Sequence, residues 1–218
     1  MDHSGQIDDA GAAARDVLEF KHRAREITLP ASRKTIQACS SAIRAVHRRE
    51  FHEARELIAV AAAYLSEADA ALEDQPDVRY SGYMHDAKKE FAEANLTLAF
   101  VADNPIPSAI EIGVEVQAYL NGMSEAASEL RRQVLDCLRR EEGDEAERLL
   151  TVMDAVYGLL ITIDFPDALT GGLRRSTDAL RGVLERTRGD VTTALIVARL
   201  QRAVDGRATT EVDVTESA

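Results

Sequence analysis

Residues 108–141 read SAIEIGVEVQAYLNGMSEAASELRRQVLDCLRRE, a stretch without proline in which apolar side chains recur every three or four positions. The recurring positions are Val116, Tyr119, Leu120, Met123, Ala127, Leu130, Val134 and Leu138. This spacing places them on one stripe of an α-helix. Ser108 and Glu111 have the spacing of a capping box, which marks the start of a helix. The sequence therefore predicts a long amphipathic helix from Ser108 to about Glu141.

The same helical spacing continues on both sides of this stretch and predicts an all-α, seven-helix bundle. The other six helices are expected at about residues 9–49, 51–72, 78–102, 144–163, 173–187 and 191–204. Pro30 should kink or break the first of them. Residues 1–8 and 206–218 are polar and aperiodic, so we expect disordered ends around one helical domain at 9–205.

The composition limits the class of partner and the compartment. The chain has 38 acidic and 26 basic residues and a net charge of −12, which excludes a generally basic nucleic-acid-binding surface. Only four of the basic residues are lysine, a bias typical of a halophilic archaeon or, alternatively, of an acidic protein from a GC-rich genome. Without a long apolar run or a basic leader, we predict a cytoplasmic protein with no membrane partner. Cys39 and Cys137 should be reduced core residues.

Two pairs of glutamates stand out from the many acids because of their surroundings. Glu90 and Glu93 border an apolar helix stripe, and Glu125 and Glu129 follow Gly122 on a row of small residues that would let another helix or a ligand approach. Like charges one turn apart destabilise a helix unless a cation lies between them. Four such carboxylates could bind one or two Mg²⁺ or Mn²⁺ ions, which prefer oxygen ligands. The alternative is a solvated acidic face.

Several segments make the chain resemble the translin superfamily, and within it translin-associated factor X. Residues 90–94 (EFAEA) match the signature of the family's third helix, and residues 119–130 (YLNGMSEAASEL) match that of its next long helix. Residues 25–28 (REIT) with 32–36 (SRKTI) are similar to its first-helix motif. Residues 173–189 are similar to its basic sixth helix.

The resemblance implies a translin-type fold that assembles into a hollow homo-oligomer, octameric in relatives, enclosing single-stranded RNA. In factor X the four matched acidic positions are catalytic carboxylates and metal ligands of a Mg²⁺-dependent endoribonuclease. They fall on Glu90, Glu93, Glu125 and Glu129 in this sequence. The third position is aspartate in the factor X pattern, so Glu125 is one methylene longer.

Basic side chains are the candidates for contacts with RNA, and arginine binds phosphate with its planar fork. The candidates are Arg33, Lys34, His85, Lys88, Arg131, Arg132, Arg174 and Arg175. Each could instead pair with the abundant acids of the same chain. The leading hypothesis is a Mg²⁺- or Mn²⁺-dependent endoribonuclease. The alternatives are a translin-like shell that binds single-stranded RNA or DNA without cutting it, and a plain helical scaffold.

Overall fold

The computed structural model describes residues 3–73 and 82–216, and within these ranges its regular structure is entirely α-helical. The helices are α1 Ser4–His47, α2 Phe51–Ala71, α3 Gly82–Val101, α4 Val116–Arg139, α5 Gly143–Leu160, α6 Asp167–Thr170 and α7 Leu173–Glu216. Within the described residues the all-α prediction is confirmed, with seven helices as predicted, although the short α6 was not among those expected.

The chain divides into two compact units, and the boundary between Met123 and Ser124 falls inside α4. No linker marks this point in the sequence, because the helix runs through it. In the first unit α1 packs against α2 and α3, and α2 packs against α3. The buried alanines of this unit, such as Ala42, Ala54 and Ala94, let the helices approach closely.

In the second unit, α7 packs against α5 and α6. Its core consists of larger aliphatic side chains, among them Leu149, Met153, Leu180 and Leu184, which are all almost completely buried. This side-chain burial is the main source of stability for helices that are too polar outside to persist alone.

Helix α1 continues through Pro30, so of the two predicted outcomes, a kink or a break, the break does not occur. Proline removes one backbone hydrogen bond from a helix interior, but the residues that follow it, Ala31, Ser32 and Thr35, are buried against the rest of the unit. Just before it, the Thr28 hydroxyl lies 2.8 Å from the Tyr83 hydroxyl of α3. Tertiary packing on both sides of the proline therefore holds the helix together.

The helix predicted from Ser108 begins at Val116 instead. The capping box does form: the backbone N–H and hydroxyl of Ser108 both donate to a Glu111 carboxylate oxygen, at 2.7 Å each. However, the turn ends at Gly113, which has φ +69°. A left-handed residue stops a right-handed helix, so α4 starts afresh after it. The Tyr119 hydroxyl then ties α4 to this loop by donating to the Pro107 carbonyl oxygen at 2.8 Å.

The two predicted helices at 173–187 and 191–204 form the single helix α7. Glycine costs a helix only about 1 kcal/mol relative to alanine and does not break it. Arg131 of α4 contacts α7 on both sides of Gly189. Its guanidinium donates to the Thr187 hydroxyl at 3.1 Å and lies 2.8 Å from the Asp190 carboxylate. These contacts on both sides of the glycine favour an unbroken helix.

The terminal helices extend into both end stretches of the chain, since α1 begins at Ser4 and α7 continues to Glu216. The expected disorder of 1–8 and 206–218 stays a prediction. Residues 1–2 and 217–218, and the predicted start of the third helix at 78–81, lie outside the described residues. No described helix is both long and apolar enough to span a lipid bilayer.

Candidate metal centre

Two glutamates lie on the inward side of α3, in its most deeply packed part. Glu93 is 7% exposed, and the side chain of Glu90 is 26% exposed. A separation of three residues places both carboxylates on one face of the helix. Carboxylates are almost never buried to this degree unless something compensates their charge.

Gly122 brings α4 into direct contact with the backbone of α3. A Cβ atom at this position would lie 2.6 Å from the Lys89 carbonyl oxygen, 2.8 Å from the Ala92 Cβ and 3.0 Å from the Glu93 nitrogen. No side chain larger than hydrogen fits without moving one of the helices. The expectation that the small residues of this row admit another helix is therefore confirmed at Gly122.

Glu125, one turn after Gly122 on α4, brings a third carboxylate close to those of Glu90 and Glu93. One carboxylate oxygen from each of Glu90, Glu93 and Glu125 lies within 4.8 Å of the others. We call these three side chains the carboxylate cluster. Glu90 and Glu125 are half-buried and Glu93 is buried. One carboxylate of the cluster is therefore packed inside the protein, and the other two are partly accessible to solvent.

The donor set of the cluster fits a small divalent cation. Ligand oxygens at about 2.1 Å from an octahedral Mg²⁺ lie about 3.0 Å apart when adjacent and about 4.2 Å apart when opposite. The cluster's spacing of within 4.8 Å exceeds the larger of these separations by at most about 0.6 Å. Mn²⁺ takes the same oxygen ligands. These residues, and not a histidine or cysteine set, would hold the ion.

The negative charge of the carboxylate cluster affects the pKa of the Cys39 thiol on α1. Cys39 is completely buried, and burial, followed by the charges of Glu90 and Glu93, raises the pKa of its thiol to about 12. Both cysteines are free and buried, as the sequence predicts.

A thiol with this pKa carries almost no thiolate at pH 8, so we expect Cys39 to resist alkylation in the folded protein. Iodoacetamide labelling followed by mass spectrometry should leave Cys39 unmodified in buffer and modify it after unfolding in guanidinium chloride. Rapid labelling of Cys39 in the native protein would contradict the packing of α1 on α3.

Lys88 has a different role from the one that the sequence predicts. It is 3% exposed, and its ammonium lies 3.0 Å from the Asp69 carboxylate and 2.9 Å from the Glu115 carboxylate. This placement does not agree with a contact to RNA. The positive charge of Lys88 suggests a contact with RNA. Its position along the helix indicates burial instead, because Lys88 shares the stripe of the buried residues Met84 and Phe91.

Glu129 lies one turn beyond Glu125 on α4, outside the carboxylate cluster. It is half-buried and lines a groove of about 570 Å³ together with Ser128, Arg131, Arg132, Leu135, Asp136 and Arg139. Arg132 and Arg139 are exposed in this groove. Arg131 is engaged with α7, as described above. The groove therefore presents a carboxylate beside cationic side chains.

The remaining basic candidates lie on separate helices. Arg33 and Lys34 are exposed on α1, where the Lys34 ammonium stands 5.1 Å from the centre of the Tyr64 ring. His85 is half-buried near the start of α3. Arg174 and Arg175 are exposed in the first turn of α7.

Comparison with known proteins gives relatives that span nearly the whole chain. An uncharacterised protein of Methanocaldococcus jannaschii is 31% identical over 181 residues, which cover 81% of this chain and 78% of the relative. No protein-family profile matches the chain.

Solved structures share both the fold and part of the sequence. AfC3PO in complex with duplex RNA superposes with a TM-score of 0.80 at 32% identity, covering 87% of this chain and 97% of that one. AfC3PO without that ligand gives 0.78 at 32% identity, with 87% and 98% covered. NeC3PO in its apo form gives 0.74 at 18% identity, with 85% and 96% covered, and supports the fold alone. The fold, the sequence identity and the coverage agree, and the chain belongs to the translin superfamily.

Proposed function

We propose that this protein is a divalent-metal-dependent endoribonuclease that cleaves single-stranded RNA, closest in function to the factor X branch of its family. The observation that carries the proposal is the carboxylate cluster, in which three oxygens from two helices lie within 4.8 Å of one another. Like charges at this distance repel one another, and a divalent cation between them would relieve that repulsion.

The proposed roles follow from where the side chains lie. Glu90, Glu93 and Glu125 would hold Mg²⁺ or Mn²⁺, and a cation there would stabilise the negative charge that develops on a phosphodiester under attack. Glu129 lies one turn away at the groove and would accept the proton of the attacking water. Arg132 is exposed in the same groove and can bind the phosphate next to the scissile one.

RNA as the substrate class is supported by the relatives. AfC3PO, at 32% identity, forms a complex with duplex RNA. In this chain the exposed side chains of Arg33, Lys34, Arg174 and Arg175 would add contacts to phosphates, and Tyr64 lies beside one of them. With a net charge of −12, such local contacts must overcome general repulsion.

A cleavage assay tests the proposal directly. The purified protein is incubated with end-labelled single-stranded RNA, duplex RNA and single-stranded DNA, in Mg²⁺, Mn²⁺ or chelator, at low and high salt. We expect single-stranded RNA to be cut in either metal and to remain intact in chelator. Cleavage that continues in chelator would eliminate the metal site as the catalyst.

Binding without cleavage is the second candidate function. The complex of AfC3PO with duplex RNA is a bound state, and Glu125 is longer than the aspartate of the factor X pattern. Retention of RNA in a gel-shift experiment, with no cutting in any metal, would favour this function. If the protein neither retains nor cuts RNA at low salt, only a helical scaffold remains.

We further propose that the protein works in the cytoplasm as a homo-oligomeric shell, octameric as the family resemblance implies. Large apolar side chains are exposed along α1 and α7, including Leu18, Phe20, Val197 and Leu200, and such residues favour association with another surface. The acidic, lysine-poor composition supports a halophilic source.

Light scattering coupled to size exclusion measures the assembly. We expect a particle of about eight times the mass of the chain, which is 23.8 kDa. We expect Leu18→Glu combined with Leu200→Glu to reduce this mass, because a charge in an apolar interface is strongly unfavourable. A monomer for the unmodified chain in low and high salt would contradict the enclosed-strand arrangement.

A further inference from the structure

Lys88 joins three parts of the first unit at one buried point. It lies in the middle of α3, Asp69 lies near the end of α2, and Glu115 is the residue immediately before α4. Its ammonium is within 3.0 Å of an oxygen of each carboxylate, and the lysine is only 3% exposed. We call these three side chains the Lys88 bridge. Lysine is almost never buried this deeply unless it is paired.

The bridge fixes the start of α4 to α3. Two turns later, Gly122 lies so close to α3 that a Cβ atom there would meet the Lys89 carbonyl oxygen, the Ala92 Cβ and the Glu93 nitrogen. A helix attached to its neighbour at two points along its axis can neither slide nor rotate freely. Glu125 follows within one turn of the second point, so its position relative to Glu90 and Glu93 depends on both.

Lys88 itself does not join the carboxylate cluster. Successive residues of an α-helix are about 100° apart around its axis, so Lys88 lies about 200° from Glu90. Its ammonium is also engaged by Asp69 and Glu115. Any effect of Lys88 on a metal ion must therefore act through the placement of α4.

We infer that Lys88 is a positioning residue: its bridge to Asp69 and Glu115 sets the register of α4 on α3 and thereby the spacing of the metal-binding carboxylates. This inference rests on the proposed function, since it concerns the metal ion that the function requires. Loss of a residue that hydrogen-bonds a metal ligand directly typically weakens metal affinity about 10- to 100-fold. The Lys88 bridge acts one step further back, through the helix that carries Glu125, so we expect an effect near the lower end of this range.

Mn²⁺ binding measured by electron paramagnetic resonance tests the inference without reference to catalysis. Lys88→Met keeps the length of the side chain and removes the charge, and Lys88→Arg keeps the charge. We expect Lys88→Met to weaken Mn²⁺ binding about tenfold or more, and Lys88→Arg to recover most of the affinity. Arg148→Met is the matched control, because Arg148 is a partly buried cation that pairs with Glu145 within α5.

Circular dichroism and thermal unfolding of each variant separate positioning from stability. Equal Mn²⁺ affinity in Lys88→Met and the unmodified chain would overturn the inference while leaving the proposed function intact. Equal weakening in Arg148→Met would also overturn it, since the effect would then reflect general destabilisation. If Lys88→Met does not fold, Glu115→Gln tests the same bridge and should weaken binding in the same direction. An unmodified chain that binds no Mn²⁺ would remove the proposed function and this inference together.

Discussion

The Glu93→Gln variant is expected to cleave RNA at least about a hundredfold more slowly than the unmodified chain. Glu93 is the most buried member of the carboxylate cluster, so no water can replace its oxygen without repacking α3. A metal ion contributes several kcal/mol to the stabilisation of transition-state charge, and about 2.7 kcal/mol corresponds to a hundredfold change in rate. Single-turnover cleavage of labelled RNA under saturating Mg²⁺ measures the effect.

Glu147→Gln is the matched control for this variant, because Glu147 is an exposed glutamate on α5. It should cut RNA at the unmodified rate. A second readout is thermal: Mn²⁺ should raise the melting temperature of the unmodified chain and of the control, but not of Glu93→Gln, because a ligand stabilises only the state that binds it. Undiminished cleavage by Glu93→Gln would assign the reaction to other residues.

We expect Gly122→Ala to disturb the same carboxylate cluster by displacing the backbone of α4 from α3. The added methyl group would meet the Lys89 carbonyl oxygen at 2.6 Å, a backbone atom that cannot rotate away. Overpacking of this kind typically costs about 1–3 kcal/mol. Because α4 must move off α3, we also expect weaker Mn²⁺ binding and slower RNA cleavage. Urea unfolding gives the loss of stability, and paramagnetic resonance gives the loss of affinity.

Gly158→Ala provides the comparison for this substitution. Gly158 lies inside α5, and a methyl group added there would meet no atom within 4 Å. Alanine at this position should stabilise the protein by up to about 1 kcal/mol, because it lowers the entropy of the unfolded chain. If Gly122→Ala were as stable and as tight for Mn²⁺ as Gly158→Ala, the close contact of α3 and α4 would be wrong.

The sequence predicts the helices well and their ends poorly. Apolar periodicity locates α2, α3, α4 and α5 because each buries one stripe. It cannot show that Gly113 turns left-handed and delays α4, or that Arg131 bridges Gly189 and keeps α7 continuous, because both depend on local backbone conformation or on partners far along the chain.

The candidate site was also predictable from the sequence only in part. The spacing of Glu90, Glu93 and Glu125, with Gly122 beside them, is visible in the sequence, and the structure brings these carboxylates together. Helical spacing alone could not separate Glu129 from them, since it lies on the same row of α4. Nor could it identify Lys88 as a buried bridge, because its partners Asp69 and Glu115 come from two other segments.

Because Lys88 is buried, its reaction with an amine-reactive reagent would report on local opening of the protein around it. The chain has only four lysines, so an amine-reactive reagent has few targets. Lys21, Lys34 and Lys89 keep part of their surface accessible, whereas Lys88 is 3% exposed. Acylation of Lys88 would therefore mark the moment at which the junction of α2, α3 and α4 opens, and its neighbour Lys89 would serve as the internal standard.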